Sequence, residues 1–321
     1  MSNVPQSFAN ITAELQYQDF LRIMIVSTLT TFPCCVFLFI NGTMLFTLRS
    51  KLVFRETCRY ILLYNLLFAD TLHLAQSQLQ YLLFVCRIKL SYPLCGFLGL
   101  LVNLTGGIAP LTLVMMSLER YVAVCYPLRH ATIVTIKNTE AAVIGIWAIS
   151  SLNNLTRLLL FLEIFIQKVD ILLMKDVCSN IAILLGSKSD QYDTAFTCIL
   201  FLSAGVAVIS SYIGVIAAAR SASTDKTLAG KARNTLLLNL TQLCLNLSSA
   251  MYFPLIIALS RTVTRTVLLW VQSIFYVCFI ILPRCLSSLI YGLRDETIRP
   301  VLMFYLLGRA NPSIKQARNL E

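Results

Sequence analysis

Charge is what this chain of 321 residues has least of: Asp, Glu, Lys and Arg together make up 13% of it, about half the roughly 25% of a soluble domain. Histidine and tryptophan are almost missing, at two residues each. No His-Glu-x-x-His, no Gly-x-Ser-x-Gly and no phosphate-cradling loop occurs. No catalytic set is therefore visible, and neither a metal nor a cofactor is expected. Apolar side chains fill the space that charge leaves, at 57% of residues and a mean hydropathy of +0.76. No core at this length hides so much apolar surface from water, so the chain is expected inside a bilayer. The same figures exclude disorder and a nucleic-acid partner. The net charge of +11 is read as a membrane signal. Eleven cysteines do not make a disulfide framework here, because most lie in apolar runs where a thiol behaves as a small hydrophobe.

About 20 apolar helical residues cross the hydrocarbon core. Ile23 to Leu48, Leu90 to Leu118, Thr194 to Ala219 and Asn234 to Ser260 carry no Asp, Glu, Lys or Arg. Tyr60 to Cys86 carries only Asp70, and Thr266 to Leu293 only Arg284. Ala141 to Gln167 is weaker, with Arg157 and Glu163 in its second half. These are seven spans. Period-2 alternation is absent, which disfavours a β-barrel, and backbone in lipid must bond internally, so the spans are helices. The expectation is an all-α membrane protein, a seven-helix transmembrane bundle.

The connections 49–59, 120–140 and 220–233 and the tail from 294 hold 16 Lys and Arg, against 8 on the opposite side. The positive-inside tendency then puts the N-terminus outside and the C-terminus inside. Residues 1–22 read as an extracellular tail without the pattern of a cleavable signal peptide, residues 23–293 as the bundle, and 294–321 as cytoplasmic. In that last part Thr297 to Leu307, with Val301, Leu302, Phe304 and Leu307 on one stripe, reads as a short amphipathic helix on the inner leaflet. Asn10-Ile-Thr12 is the expected glycosylation site. Similar triplets at Asn41, Asn103, Asn154, Asn239 and Asn246 fall within spans and read as buried hydrogen bonders between helices.

Ionisable groups within spans are costly and mark functional positions. Glu119-Arg120-Tyr121 ends the third span on the cytosolic side, inside Met116-Ser-Leu-Glu-Arg-Tyr-Val-Ala-Val-Cys-Tyr-Pro-Leu-Arg-His130. Cys95 opens the same span from outside, and Cys178 lies in the long outer loop. With Asn41, Asn65-Leu-Leu-Phe-Ala-Asp70, Trp147, Ser211-Tyr212, Lys231-Ala232 and Leu289-Ile-Tyr-Gly-Leu-Arg294, the set resembles the rhodopsin-like (class A) G protein-coupled receptors, and within them the odorant receptors of fish type. The set runs from the first span to the end of the seventh.

The resemblance implies a plasma-membrane, multi-pass receptor that binds a small odorant and activates a heterotrimeric G protein, of the stimulatory or olfactory type. It implies a Cys95–Cys178 disulfide, and an Arg120 held at rest by Glu119 and released toward Tyr212 and Tyr291. Tyr121 and Lys231 belong to the same coupling surface. Membrane lipid is the other partner, facing cytosolic basic residues that include Arg129, Lys226, Lys231 and Arg233. The ligand is expected in the outer half. Val102, Asn103 and Gly106 share one face of span three, and Phe196, Leu247, Met251 and Val277 are the matching positions elsewhere. This mostly apolar set, with Asn103 as its hydrogen bonder, suits a small, largely uncharged ligand.

Several positions depart from the family pattern. Ser287-Ser288 stands where Asn-Pro precedes the span-seven Tyr, leaving Pro283 as a source of a bend. Span five has Ala204 near the place of its usual Pro. Span six lacks the aromatic–Cys–Trp–x–Pro switch, with Leu247 where odorant receptors carry Tyr. Asp70 and Arg284 both lie roughly 15 Å deep at 1.5 Å per residue. In many relatives that Asp binds sodium; here the span-three helper position is Ala109. Arg284 is expected to replace the ion as counter-charge, the alternative being a backbone carbonyl or a water pocket. Cys86 and Cys198 read equally as free thiols, a second bridge or soft-metal ligands. The rival readings are a non-olfactory receptor for a lipid or peptide, a channel or transporter, and a membrane enzyme.

Overall fold

The computed structural model describes residues 6–167, 175–177, 187–221, 226–250, 252, 255–256, 259, 262–263, 265–294 and 297–307. Span one lies in a single helix, Gln6–Ser50, that starts well before the apolar run. Span two is Cys58–Val85. Span three is Tyr92–Gly106 continued by Ile108–Cys125. Spans four, five and six are Ile136–Gln167, Ser187–Ser221 and Lys226–Ala250. Span seven is Arg265–Phe275, a π-helical stretch Tyr276–Ile281, and Leu282–Arg294, followed by a short helix Ile298–Leu307. Lys89–Ser91 and Lys175–Val177 pair antiparallel, with Leu90 opposite Asp176, tying the outer loop to the outer end of span three.

Five of these helices cross a membrane on length and apolarity alone, among the described residues. Span two is not among them because of its polar residues, and span six is described as a helix only over Lys226–Ala250. Thirteen of the 28 residues of span two are buried, with Asn65, Asp70, His73, Ser77 and Gln78 among them. Span six buries Asn239, Gln242 and Asn246. The two helices carry much of the polar interior of the bundle. The opposite holds for Phe32, Phe39, Ile144, Leu152, Leu202 and Ile213, which are large, apolar and exposed, the belt that a bilayer covers.

Two breaks in the spans have identifiable causes. Pro110 has no N–H to give the carbonyl four residues back, that of Gly106, and the helix of span three parts at Gly107. Pro283 does the same in span seven, where the Leu282 N–H bonds to the Val277 carbonyl five residues back. The bend expected from Pro283 is thus a π-bulge one turn on its outer side.

The core has two levels. The inner one joins Met44, Leu63, Leu67, Leu113, Met116 and Leu243 to Tyr291 and Leu302. The outer one joins Val26, Leu74, Tyr81, Tyr252, Tyr276 and Ile281. The short last helix belongs to the inner level. Its Leu302 lies so close to Gly292 that a Cβ there would come within 2.6 Å of it, with the Met44 sulfur next at 3.4 Å. A side chain at this position would have to displace the Leu302 methyl, so glycine lets this helix dock closely on spans one and seven.

Candidate ligand-relay and G protein site

Helices in lipid gain little from hydrophobic association, so packing and buried hydrogen bonds between them decide how they fit. The polar side chains of this bundle sort into such links. Asn65 donates through Nδ2 to Thr112 Oγ1 at 2.9 Å and accepts from Trp147 Nε1 at 2.8 Å, tying spans two, three and four. Thr105 of span three lies 3.1 Å from His73 Nδ1 and 3.2 Å from Gln76 Oε1. Tyr81 donates to Ser273 Oγ at 2.9 Å, joining spans two and seven. Arg157, the charge that weakened span four, forms an ion pair with Asp193 of span five, and Tyr192 donates to Asn153 Oδ1 at 2.9 Å.

Between the two core levels Arg284 Nη1 donates to Asp70 Oδ1 at 2.6 Å, with the side chains 3% and 0% exposed. A carboxylate and a guanidinium shut away from water to this degree are each costly alone, and together they offset much of that cost. Asn41 is buried as well, but among the described residues neither atom of its amide has a hydrogen-bond partner.

At the inner end, Asn239 of span six donates to Ser117 Oγ at 3.1 Å and accepts from the Tyr291 hydroxyl at 2.6 Å, all three residues being buried. This chain of bonds closes spans three, six and seven. One turn farther in, Glu119 takes Arg120 Nε at 3.2 Å and lies 3.9 Å from His130 Nε2. Tyr121 fills the space beside Gly214 of span five, in contact with where a Cβ would be, and meets Tyr126 edge-on at 6.0 Å. Tyr212 packs with Val124 against Val215 and Leu236. Glu119, Arg120, Tyr121, Tyr212 and Tyr291, the described residues expected to act in coupling, therefore lie toward one end of the bundle, with Tyr291 engaged by Asn239.

The match over most of the chain decides the family. A model of the seven-transmembrane receptors of the rhodopsin family matches residues 40–306. The chain belongs to the rhodopsin family of seven-transmembrane receptors. It is 35% identical over 276 residues to odorant receptor 131-2 of Danio rerio, covering 84% of this chain and 82% of that one. Olfactory receptor 1500 of Rattus norvegicus is 26% identical over 162 residues, 49% and 50% of the two chains. Olfactory receptor 51F2 of Homo sapiens is 25% identical over 221 residues, 64% and 59% of the two chains. The receptor is thus of the odorant branch, a multi-pass plasma-membrane protein and not an enzyme. The channel, transporter and lipid- or peptide-receptor readings are not favoured.

The receptor's expected ligand positions are not all gathered in one place. Val102 and Asn103 share a half-buried face of span three. Gly106 instead faces span two, where a Cβ would sit 3.5 Å from the His73 ring. Leu247 needs correction: it is 41% exposed and turned from the interior, while Asn246 beside it is buried. The family's register had pointed to Leu247, but the inward face of span six runs Asn239, Gln242, Leu243 and Asn246. Phe196 stacks with Tyr192 at 6.2 Å, and Val277 packs on the outer core level. Met251 and Cys178 lie outside the described residues, as do the side chains of Asn10 and Lys231. Cys95 is disulfide-bonded, and Cys86 and Cys198 are free thiols.

The expectation that span asparagines bond between helices holds for Asn239, while among the described residues the amides of Asn41 and Asn246 and the Oδ1 of Asn154 are buried without a hydrogen-bond partner. What sequence reasoning missed was Ser117, Thr105 and Asp193. A hydroxyl among apolar residues gives no signal until its neighbour is known.

Proposed function

We propose that a small, mostly apolar odorant binds in the outer half of this receptor and drives a stimulatory, olfactory-type G protein through the inner ends of spans three, six and seven. The observation that carries this reading is the Ser117–Asn239–Tyr291 chain of bonds beside the Glu119–Arg120 pair. It closes the inner end, and it is short enough to be undone by a modest preference of the ligand for an open packing. Interhelical hydrogen bonds in membranes contribute roughly 0.6 kcal/mol each, whereas moving an equilibrium from 1:99 to 99:1 takes about 5.5 kcal/mol of differential affinity. The bonds add to the resting bias, and the ligand's differential affinity for the open packing overcomes it. On opening, Tyr291 leaves Asn239, Arg120 leaves Glu119, and the freed guanidinium meets Tyr212 and the G protein.

In the outer half the ligand lies against Val102 and Asn103, with Phe196 and Val277 farther round. Cys178 is the partner of Cys95, which holds the outer loop over that cavity. Asn10 carries the glycan on the outer segment. Arg284 takes the place of a sodium ion as counter-charge to Asp70. In cells expressing the receptor, a panel of small odorants is expected to raise cyclic AMP and GTPγS exchange. Arg120→Ala should abolish both while leaving surface expression in place. Ion flux without nucleotide exchange, from a correctly inserted receptor, is the result that sinks this reading.

A further inference from the structure

At the inner ends of spans one and two a shallow groove is lined by Leu45, Phe46, Arg49, Ser50 and Tyr64. None of the links that join the helices uses it, and it lies away from the coupling residues. Its chemistry is graded along the membrane normal. Arg49 stands in the last turn of span one, and Phe46 and Leu45 are three and four residues farther into the bilayer, about 4.5 and 6 Å at 1.5 Å per residue. Tyr64 forms the opposing wall from span two. Phe46 is 60% exposed, and on its far side it meets Tyr305 of the last helix edge-on at 5.1 Å. Arg49 is exposed and makes no ion pair or hydrogen bond with any described residue. Lys51, Arg55 and Arg59 follow within the same short connection, with Glu56 as its single acid.

We propose that this groove holds one anionic phospholipid of the inner leaflet, its phosphate on Arg49 and an acyl chain along Leu45, Phe46 and Tyr64. An apolar wall below a guanidinium fits an amphiphile that is charged at one end, and a water-soluble anion would leave the wall unused. A zwitterionic lipid fills the same wall but carries its own cation to the basic connection. Each basic residue near an anionic surface contributes about 1 kcal/mol, which sets the size of the preference.

The test uses the whole receptor in nanodiscs of zwitterionic phosphatidylcholine with and without phosphatidylglycerol, reading lipid retained on the protein by native mass spectrometry after transfer to detergent. Phosphatidylglycerol is expected to be retained over phosphatidylcholine, and Arg49→Gln to lower that preference about fivefold, the equivalent of ~1 kcal/mol. Arg49→Lys, which keeps the charge, should hold most of it, and Lys137→Gln, exposed at the start of span four, should leave it intact. Thermal melting of each variant checks that it is folded. Should Arg49→Gln not fold, Phe46→Ala is read instead and must lower retention of both lipids. Equal loss in Arg49→Gln and Lys137→Gln overturns the site in favour of general surface charge, and displacement by free phosphate overturns the choice of a lipid.

Discussion

Asp70 and Arg284 are 214 residues apart in the chain and 2.6 Å apart in the bundle. Removing one partner of such a pair strands the other in a medium that cannot solvate it, at a cost of about 3–5 kcal/mol, while removing both is often close to neutral. Asp70→Asn and Arg284→Gln are each expected to lower surface expression and the melting temperature in detergent, and the double variant to recover a large part of both. Additive losses in the double variant would show that the two side chains act through separate partners. Asn41 shows the other side of residue-level reading. Its identity and depth mark it as interior, and it is interior, but no described residue offers it a hydrogen bond. Which hydroxyl or amide faces a given Asn depends on the rotation of two helices, a quantity that its own sequence neighbourhood does not contain.

Helices carry the next level of cause. Span six meets spans three and seven through Asn239, which serves both at once with the two ends of its amide. Asn239→Ala leaves the hydroxyls of Ser117 and Tyr291 without these partners and loosens the closed packing by roughly 1–2 kcal/mol. Ligand-independent cyclic AMP is therefore expected to rise several-fold at matched surface expression. A variant that is well expressed yet as quiet as the parent receptor would remove this bond chain from the resting state. Pro283 was readable as a break from its missing N–H group, and Pro110, not read as one, carries the same signal. The form of each break was not readable, since a kink, a parted helix and a π-bulge all answer the same lost hydrogen bond, and the neighbouring helices choose among them.

Across the whole molecule, a fixed guanidinium on Asp70 has a consequence for the medium. A receptor that holds sodium at that carboxylate is biased by the ion, because the ion binds one packing better than the other. Here the carboxylate is already satisfied from within the chain. Replacing sodium by choline at constant ionic strength is expected to leave odorant potency within about twofold, since the screening of exposed charge is held fixed. A shift of tenfold or more would show that the ion still enters. In Arg284→Gln, the same exchange should gain an effect on potency if Asp70 is then open to the cation.

Seven spans, their orientation and the family were legible in the order of residues, because the thickness of a bilayer and the cost of burying charge act on any chain in the same way. The depth of Asp70 and of Arg284 was legible for the same reason, as a count of residues from the helix end. Azimuth was not. Leu247 turned outward and Asn246 inward, Gly106 met span two, and Asp193 came to rest on Arg157. Each outcome follows from how far one helix is rotated against the next, and a break such as the one at Gly107 or the π-bulge before Pro283 resets that rotation for everything beyond it. Depth is a one-dimensional property of the chain, whereas facing is a property of pairs of helices and arises only when all seven have packed.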